Sequence, residues 1–419
     1  MTIGQHSGTG NLAVGRQTGL AFEAFGNPAI PHRTDTSAGT LRIVSSWPFG
    51  GDTGQSYRDH AIAIRLALDL AGSAVGGYAL EYQSLDNSTE AYASVWDATT
   101  EIENANRALE DPEVVAFIGG IHAGALQQSI PILSRAEPPL LVVSPAATWP
   151  GLTRRVDGIT EDNELGRYYP TGLRNLVRFG PIDDRQAAVA ARWVHDTAGR
   201  HTAAVFHDNG RYGRCVALAF AAAFTALGGT VSGTTPLPAD PINFDRYVAS
   251  VANAGADCVF IGGIATLKIG QFVGELRAQS SLEALSILGG DGLTSDVLLD
   301  ALEFGQADGL TVVGPPLPAD LTGVGAIWSA TMRYLIGQSR DPDPFAVHAF
   351  EAAIAIVQAI DAVGAGDRAA IVDAMRGTSE FRGLSGTFSI DADGDRESVP
   401  FRISQVQGGQ FITIGAEGG

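Results

Sequence analysis

The residues best suited to chemistry lie where apolar runs end in glycine, serine and threonine. Phe117–Thr148, FIGGIHAGALQQSIPILSRAEPPLLVVSPAAT, reads as strand, glycine turn, helix, strand and small-residue loop. Val114–Ile118 and Leu140–Val143 have the length and apolarity of strands buried on both faces. Gly119-Gly120 stops the first, Ala123–Ser134 follows at helical spacing, and Ser144-Pro145-Ala146-Ala147-Thr148 closes the second. Both strands then finish at one sheet edge, beside a helix start. Unpaired amide N–H groups and the positive end of the helix dipole suit a carboxylate or another anion there. Open parallel sheets take ligands outside the carboxyl ends of their strands. The chemistry indicated is recognition of a small molecule.

Two histidines invite a catalytic reading. His122 stands in the glycine turn, and His207-Asp208 ends a later strand. No G-x-S-x-G elbow accompanies them. Nor is there an H-E-x-x-H, a G-x-x-x-x-G-K-[ST], or a G-x-G-x-x-G after a strand. His122 therefore reads as a wall of the cleft, and no catalytic residue or cofactor is assigned. Asp391-Ala-Asp393-Gly-Asp395-Arg-Glu397 imitates the first half of a calcium loop, but Arg396 takes the glycine position and Arg402 that of the bidentate glutamate. A hairpin turn with solvated carboxylates is expected there, and no metal site is assigned.

Composition narrows the class. A chain of 419 residues with 45% hydrophobic content and mean hydropathy of +0.09 has ample material for two or three folded domains. A formal charge of −19 excludes nucleic acid as a natural partner. Lys268 is the single lysine among 27 basic residues, a bias of composition rather than function. No run approaches the ~18 consecutive apolar residues of a membrane span. Cys215 and Cys258 have no spacing that argues for a disulfide or a metal framework. Residues 1–40 read as a poorly ordered tail in which no export signal is visible.

The elements that must position the site come as repeated α/β pairs. Leu41–Ser46 is a strand, Trp47–Asp52 a turn-rich loop and Ser56–Ala71 a helix. Tyr78–Leu85 is the second strand, and Asn87 with Glu90 resembles a capping box for a helix running to Leu109. After a polar segment to Tyr169 and an extended Leu173–Phe179, Gly180–Asp184 is a connector. Strands at Thr202–His207, Thr230–Thr235, Cys258–Ile261, Ser286–Leu288 and Leu310–Val313 alternate with helices in a second α/β unit. Pro315–Pro318 is the next connector. Three helices to Met375 follow, then antiparallel strands at Gly386–Ile390, Val399–Val406 and Phe411–Ile414. The expected fold is α/β and bilobal, with two doubly wound parallel-sheet lobes joined by a three-segment hinge. Lobe I takes 41–178 and 317–383; lobe II takes 183–313 and 386–415. The hinge lies near 179–183, 314–317 and 383–386.

Several phrases in this order resemble the leucine/isoleucine/valine-binding protein family, the type 1 periplasmic binding proteins that serve ABC importers as solute receptors. They are FIGG at 117–120, SPAAT at 144–148, RFGPIDDRQ at 178–186, VFHDNGRYG at 205–213, FIGG at 260–263 and GGDG at 289–292. The resemblance covers about residues 41–414. It implies that Ala123 and Thr148, with amides of the Gly120–Gly124 turn and neighbours Ile121, His122 and Ala146, hold the ligand's α-carboxylate. Ala123 stands where the family often has a hydroxyl. Tyr212 matches the aromatic that closes from the second lobe, and Asp291 the acid that pairs with the α-ammonium. Ile264 replaces a common aromatic, and the loop Trp47–Gln55 maps to the specificity loop, with Trp47, Phe49 and Gln55 as lining.

Each assignment has a plainer alternative. Thr148 also suits a helix N-cap, Asp291 an exposed turn, Tyr212 packing at a helix start, and Trp47 and Phe49 core or surface aromatics. The resemblance implies a periplasmic or extracellular receptor that closes by hinge motion on a branched-chain or other aliphatic amino acid, or a related amide or carboxylate. An ABC transporter permease would be its partner. A cytosolic ligand sensor on the same fold is the alternative, and an enzyme on that scaffold is disfavoured by the missing motifs.

Overall fold

A computed structural model describes residues 36–51, 54–90, 96–238, 243–303, 305–337 and 340–418. The expected tail lies outside the described residues up to residue 35. The described strands are β1 (Gly39–Trp47), β2 (Ala74–Val75), β3 (Tyr78–Asp86), β4 (Val114–Gly119), β5 (Leu141–Ser144), β6 (Leu176–Arg178), β7 (Thr202–His207) and β8 (Thr230–Pro236). They continue as β9 (Cys258–Gly262), β10 (Ser286–Gly290), β11 (Thr311–Gly314), β12 (Phe381–Gly383), β13 (Gly386–Phe388), β14 (Pro400–Gln407) and β15 (Gln410–Gly418). The chain divides into two compact units. The first holds the described parts of Met1–Arg155, Glu161–Pro181 and Pro316–Val399; the second holds Val156–Thr160, Ile182–Pro315 and Pro400–Gly419.

In the first unit the strand order is β2-β3-β1-β4-β5-β6, parallel throughout except for the short β2–β3 pair. All six residues of β4 and all four of β5 are buried, as their unbroken apolar runs require. Helices Gly54–Leu70 and Ala346–Val363 pack together in the same core. Ala346–Val363 is long and apolar enough to cross a membrane, yet it carries His348, Glu351, Gln358 and Asp361 and is 78% buried within the chain.

The second unit is a seven-stranded sheet, β15-β14-β11-β10-β9-β7-β8. Its five α/β strands, β7–β11, run parallel, and β14 adds antiparallel to β11 and β15 to β14. Its aromatic core stacks Phe220 on Phe260 at 4.2 Å and sets Phe206 edge-on to Phe272 at 4.9 Å. Cys215 and Cys258 are both buried and form no disulfide.

Two sequence expectations are corrected. The helix expected from Asn87 starts instead at Ala98, where Asp97 Oδ1 accepts the Thr100 amide at 2.9 Å; residues 91–95 lie outside the described residues. Asn87 is drawn inward by a buried acid, donating to Glu101 Oε2 at 2.8 Å beside Ser46 Oγ at 2.6 Å. The strand expected at Gly386–Ile390 was placed in the second lobe, but β13 pairs with β12 inside the first unit. The chain returns to the second unit only at Pro400, not near residues 383–386. Buried charge explains the delay.

Asp395 and Arg178, both fully buried, approach to 3.1 Å, and Thr153 Oγ1 donates to the same carboxylate at 2.8 Å. This ties the imagined calcium loop to the first unit's sheet. Nearby, Arg396 Nη1 donates to Ser385 Oγ at 2.7 Å, and Ser385 donates to Glu351 at 2.8 Å. The Arg396 guanidinium also lies 3.9 Å from the centre of the Phe388 ring. Residues 384–399 therefore cannot leave the first unit without stripping partners from buried charges.

Burial alone would raise the Glu351 carboxyl, but the His348 hydrogen bond and the Arg396 charge overcome it and hold it below the usual range. Burial lowers His348 as well, and pushes Arg396 down to about 10. Groups with depressed folded-state pKa values stabilise above their unfolded values, and lose that contribution as pH falls through the folded ones. Glu351→Gln should cost about 3–5 kcal/mol, since it leaves a buried guanidinium unpaired. Urea denaturation at neutral pH and in acid checks this; the loss should shrink in acid.

Candidate functional site

In the first unit the strand β4 ends at Gly119, and Gly120 turns the chain with φ of 77°. A Cβ at Gly120 would lie 2.4 Å from Leu126 Cγ, so the turn demands glycine twice over. The helix Ala123–Leu133 then begins after His122, which places no side chain on its open amides. The first-turn N–H groups of Ala123 and Gly124 therefore take no side-chain cap, the arrangement that favours an anion. Half-buried His122 meets Tyr57 edge-on, with Nε2 3.4 Å from the phenol oxygen. Burial lowers the His122 pKa, which favours the neutral ring.

Strand β5 delivers Ala146 and Thr148 past its carboxyl end. Ser144 Oγ accepts the Ala147 amide at 3.0 Å and shapes that loop. Thr148 is not an N-cap, because the helical turn Pro150–Leu152 follows Trp149 and takes no side-chain cap. It stays half-buried, with no hydrogen bond to its hydroxyl among the described residues. Ile121 and Ala123 are also half-buried, and Ala146 is buried.

In the second unit Asp291 follows directly on the end of β10. Asp291 Oδ1 accepts from Gln186 Nε2 at 2.6 Å and from the Tyr212 hydroxyl at 2.7 Å. No side-chain donor reaches Oδ2 among the described residues. Tyr212 Oη also accepts the Gly292 amide at 3.2 Å, and Gln186 reaches the Val313 carbonyl at 3.1 Å. A Cβ at Gly290 would sit 2.4 Å from Tyr212 Oη, and one at Gly292 would sit 2.4 Å from the Gly263 carbonyl. The GGDG phrase is thus a cradle that lets phenol and amide reach the acid. Burial pushes the Asp291 carboxyl up, against the pull of the Tyr212 and Gln186 hydrogen bonds. Burial and the Asp291 charge push the Tyr212 phenol up further. Ile264, 54% exposed, hangs its N–H on Asp208 Oδ2 at 3.0 Å and sets its side chain beside Gly292.

Of the specificity loop, Trp47 is corrected. It ends β1 fully buried, its indole N–H donating to Ser45 Oγ at 2.8 Å and its ring 5.0 Å from His60. It is a core residue with no surface to offer a ligand. Phe49 is nearly buried beneath the Arg58 guanidinium, 5.5 Å from the ring centre. Gln55 is exposed on the first turn of its helix, and residues 52 and 53 lie outside the described residues. His207 is buried at a strand end and accepts the Asn209 amide at 3.1 Å. Among the described residues no group of three or more His, Cys, Asp or Glu is placed to hold a metal ion.

A family profile described as periplasmic binding protein matches residues 40–410. The chain belongs to that family. A Leu/Ile/Val-binding protein homolog 3 from Brucella melitensis is 28% identical over 279 residues, covering 66% of this chain and 68% of the relative. A Desulfitobacterium hafniense ABC transporter substrate-binding protein, solved in complex with Leu, has a TM-score of 0.70 at 19% identity and covers 90% of this chain and 100% of its own. An R. palustris solute-binding protein solved in complex with benzoate has a TM-score of 0.66 at 19% identity, covering 90% and 96%. These likenesses give this periplasmic binding protein the bilobal type 1 fold.

Three residues of this binding protein carried no assignment in the sequence reading: Gln186 beside Asp291, Tyr57 beside His122, and Trp96, whose ring lies against Gly124. Gln186 closes the RFGPIDDRQ phrase, and its place one turn into a helix that starts at Asp183 was the available signal. Tyr57 and Trp96 sit in stretches with no motif.

A carboxyl whose folded-state pKa is raised contributes stability fully below its unfolded pKa and loses it as pH rises through the folded value. Asp291→Asn keeps the shape without the charge. The unliganded variant should melt above the wild type near pH 7 and gain nothing near pH 3. Equal gains at both pH values in calorimetry would contradict a strained carboxylate.

Proposed function

We propose that this chain is the extracytoplasmic solute-binding component of an ABC importer and takes a branched-chain or other aliphatic amino acid. The observation that carries the reading is Asp291. One of its oxygens accepts from both a phenol and an amide, and no side-chain donor reaches the other among the described residues, at the carboxyl end of a parallel sheet. An α-ammonium is the cation such a carboxylate takes best. The open amides of Ala123 and Gly124 and the Thr148 hydroxyl suit the α-carboxylate. Membership in a family of binding proteins, with a leucine complex among the structural neighbours, supports the same assignment.

In this reading the ligand's two charged ends engage the two units, and closure about the connecting segments follows from binding. Only contacts that differ between open and closed states shift that equilibrium. The chain binds without turnover and hands its cargo to a membrane permease outside the cytoplasm.

Titration calorimetry with L-leucine and L-isoleucine tests the assignment. Asp291→Ala should weaken binding by ~2–4 kcal/mol, because the ammonium loses its partner. Thr148→Val should cost ~1–2 kcal/mol, and wild type should reject leucinamide relative to leucine. Unchanged affinity in Asp291→Ala, or equal affinity for acid and amide, would refute the respective role.

A further inference from the structure

Trp96 is the large aromatic that the packing leaves unexplained. It is half-buried, belongs to neither hydrophobic core, and its indole N–H has no partner among the described residues. It nonetheless holds a defined place. A Cβ on Gly124 would lie 2.5 Å from Trp96 Cζ2 and 3.2 Å from Cε2, so the ring rests directly on the glycine's backbone. Gly124 is the second residue of the helix whose opening amides are uncapped. On the N-cap side, His122 and Tyr57 form the edge-on pair at 5.9 Å between ring centres.

We infer that Trp96 is a specificity-determining residue of the ligand site: its indole covers the carboxylate and gives the adjoining carbon atoms an apolar face. This rests on the carboxylate position of the proposed function, but not on the ammonium at Asp291. Tryptophan suits the task because a rigid ring offers large contact area at little entropic cost while its N–H stays free for a polar atom. Gly124 belongs to the same device, since any side chain there would lift the ring away.

Calorimetry and intrinsic fluorescence with two probes, L-leucine and benzoate, test the inference. Trp47 and Trp328 are fully buried and Trp149 nearly so, which leaves Trp96 as the first unit's reporter. Trp96→Ala should weaken the probe that wild type binds by about tenfold or more, with circular dichroism and melting temperature near wild type. Trp96→Phe should keep most of the affinity and lose the fluorescence change. Gly124→Ala should weaken binding in the wild type but add nothing in the Trp96→Ala background, where the clash is gone. Binding of benzoate but not leucine, with these effects intact, would overturn the amino-acid assignment and leave Trp96 in place. Leucine bound equally by wild type and a folded Trp96→Ala would overturn the inference and spare the assignment. Failure of wild type to bind either probe overturns both.

Discussion

A carboxylate withdrawn from water is stable only if donors replace the solvent, and half-buried Asp291 takes two side-chain donors on one oxygen. That convergence organises the second unit's sheet edge. Gln186 comes from the helix after the first connector, Tyr212 from the helix after β7, and the acid from the end of β10. Three separate α/β repeats must be packed in register before the two donors meet one oxygen. The glycines at 290 and 292 admit the phenol where any Cβ would block it.

In the first unit the helix start at His122 lacks a capping side chain, so the amides of Ala123 and Gly124 take no cap there. A side-chain cap would stabilise the free helix and occupy the place an anion needs. The buried charges deeper in this unit follow the opposite rule. Arg178, Asp395, Glu351 and Arg396 are partnered around Thr153 and Ser385, which anchors the chain up to Val399 before it crosses to the second unit.

Much of this was legible in the amino-acid order because parallel strands buried on both faces read as short apolar runs. β4, β7 and β9 were located to within a residue or so on that ground. Phrases such as GGDG and SPAAT mark the strand ends beyond which Asp291 and Thr148 stand, because glycine and small residues suit turns that need free backbone. What the order hid depends on distant partners. Asn87 looked like a cap until Glu101, fourteen residues on, claimed it. The segment Gly386–Ile390 reads as a strand in either unit, and buried arginines decide which. Trp47 and Trp96 show the same limit: an aromatic's role depends on what lies over its ring, and no local pattern states that. Gln186 bonds an acid 105 residues away.

We propose that opposite ends of one zwitterion are taken by Asp291 and by the helix start at Ala123 with Thr148. A crystal structure of the leucine complex tests it most directly. The ligand nitrogen should lie within hydrogen-bond distance of Asp291 Oδ2, with its carboxylate on the Ala123 and Gly124 amides and the Thr148 hydroxyl. Leucine bound with its nitrogen away from Asp291, or at a position that touches neither set of residues, would contradict it.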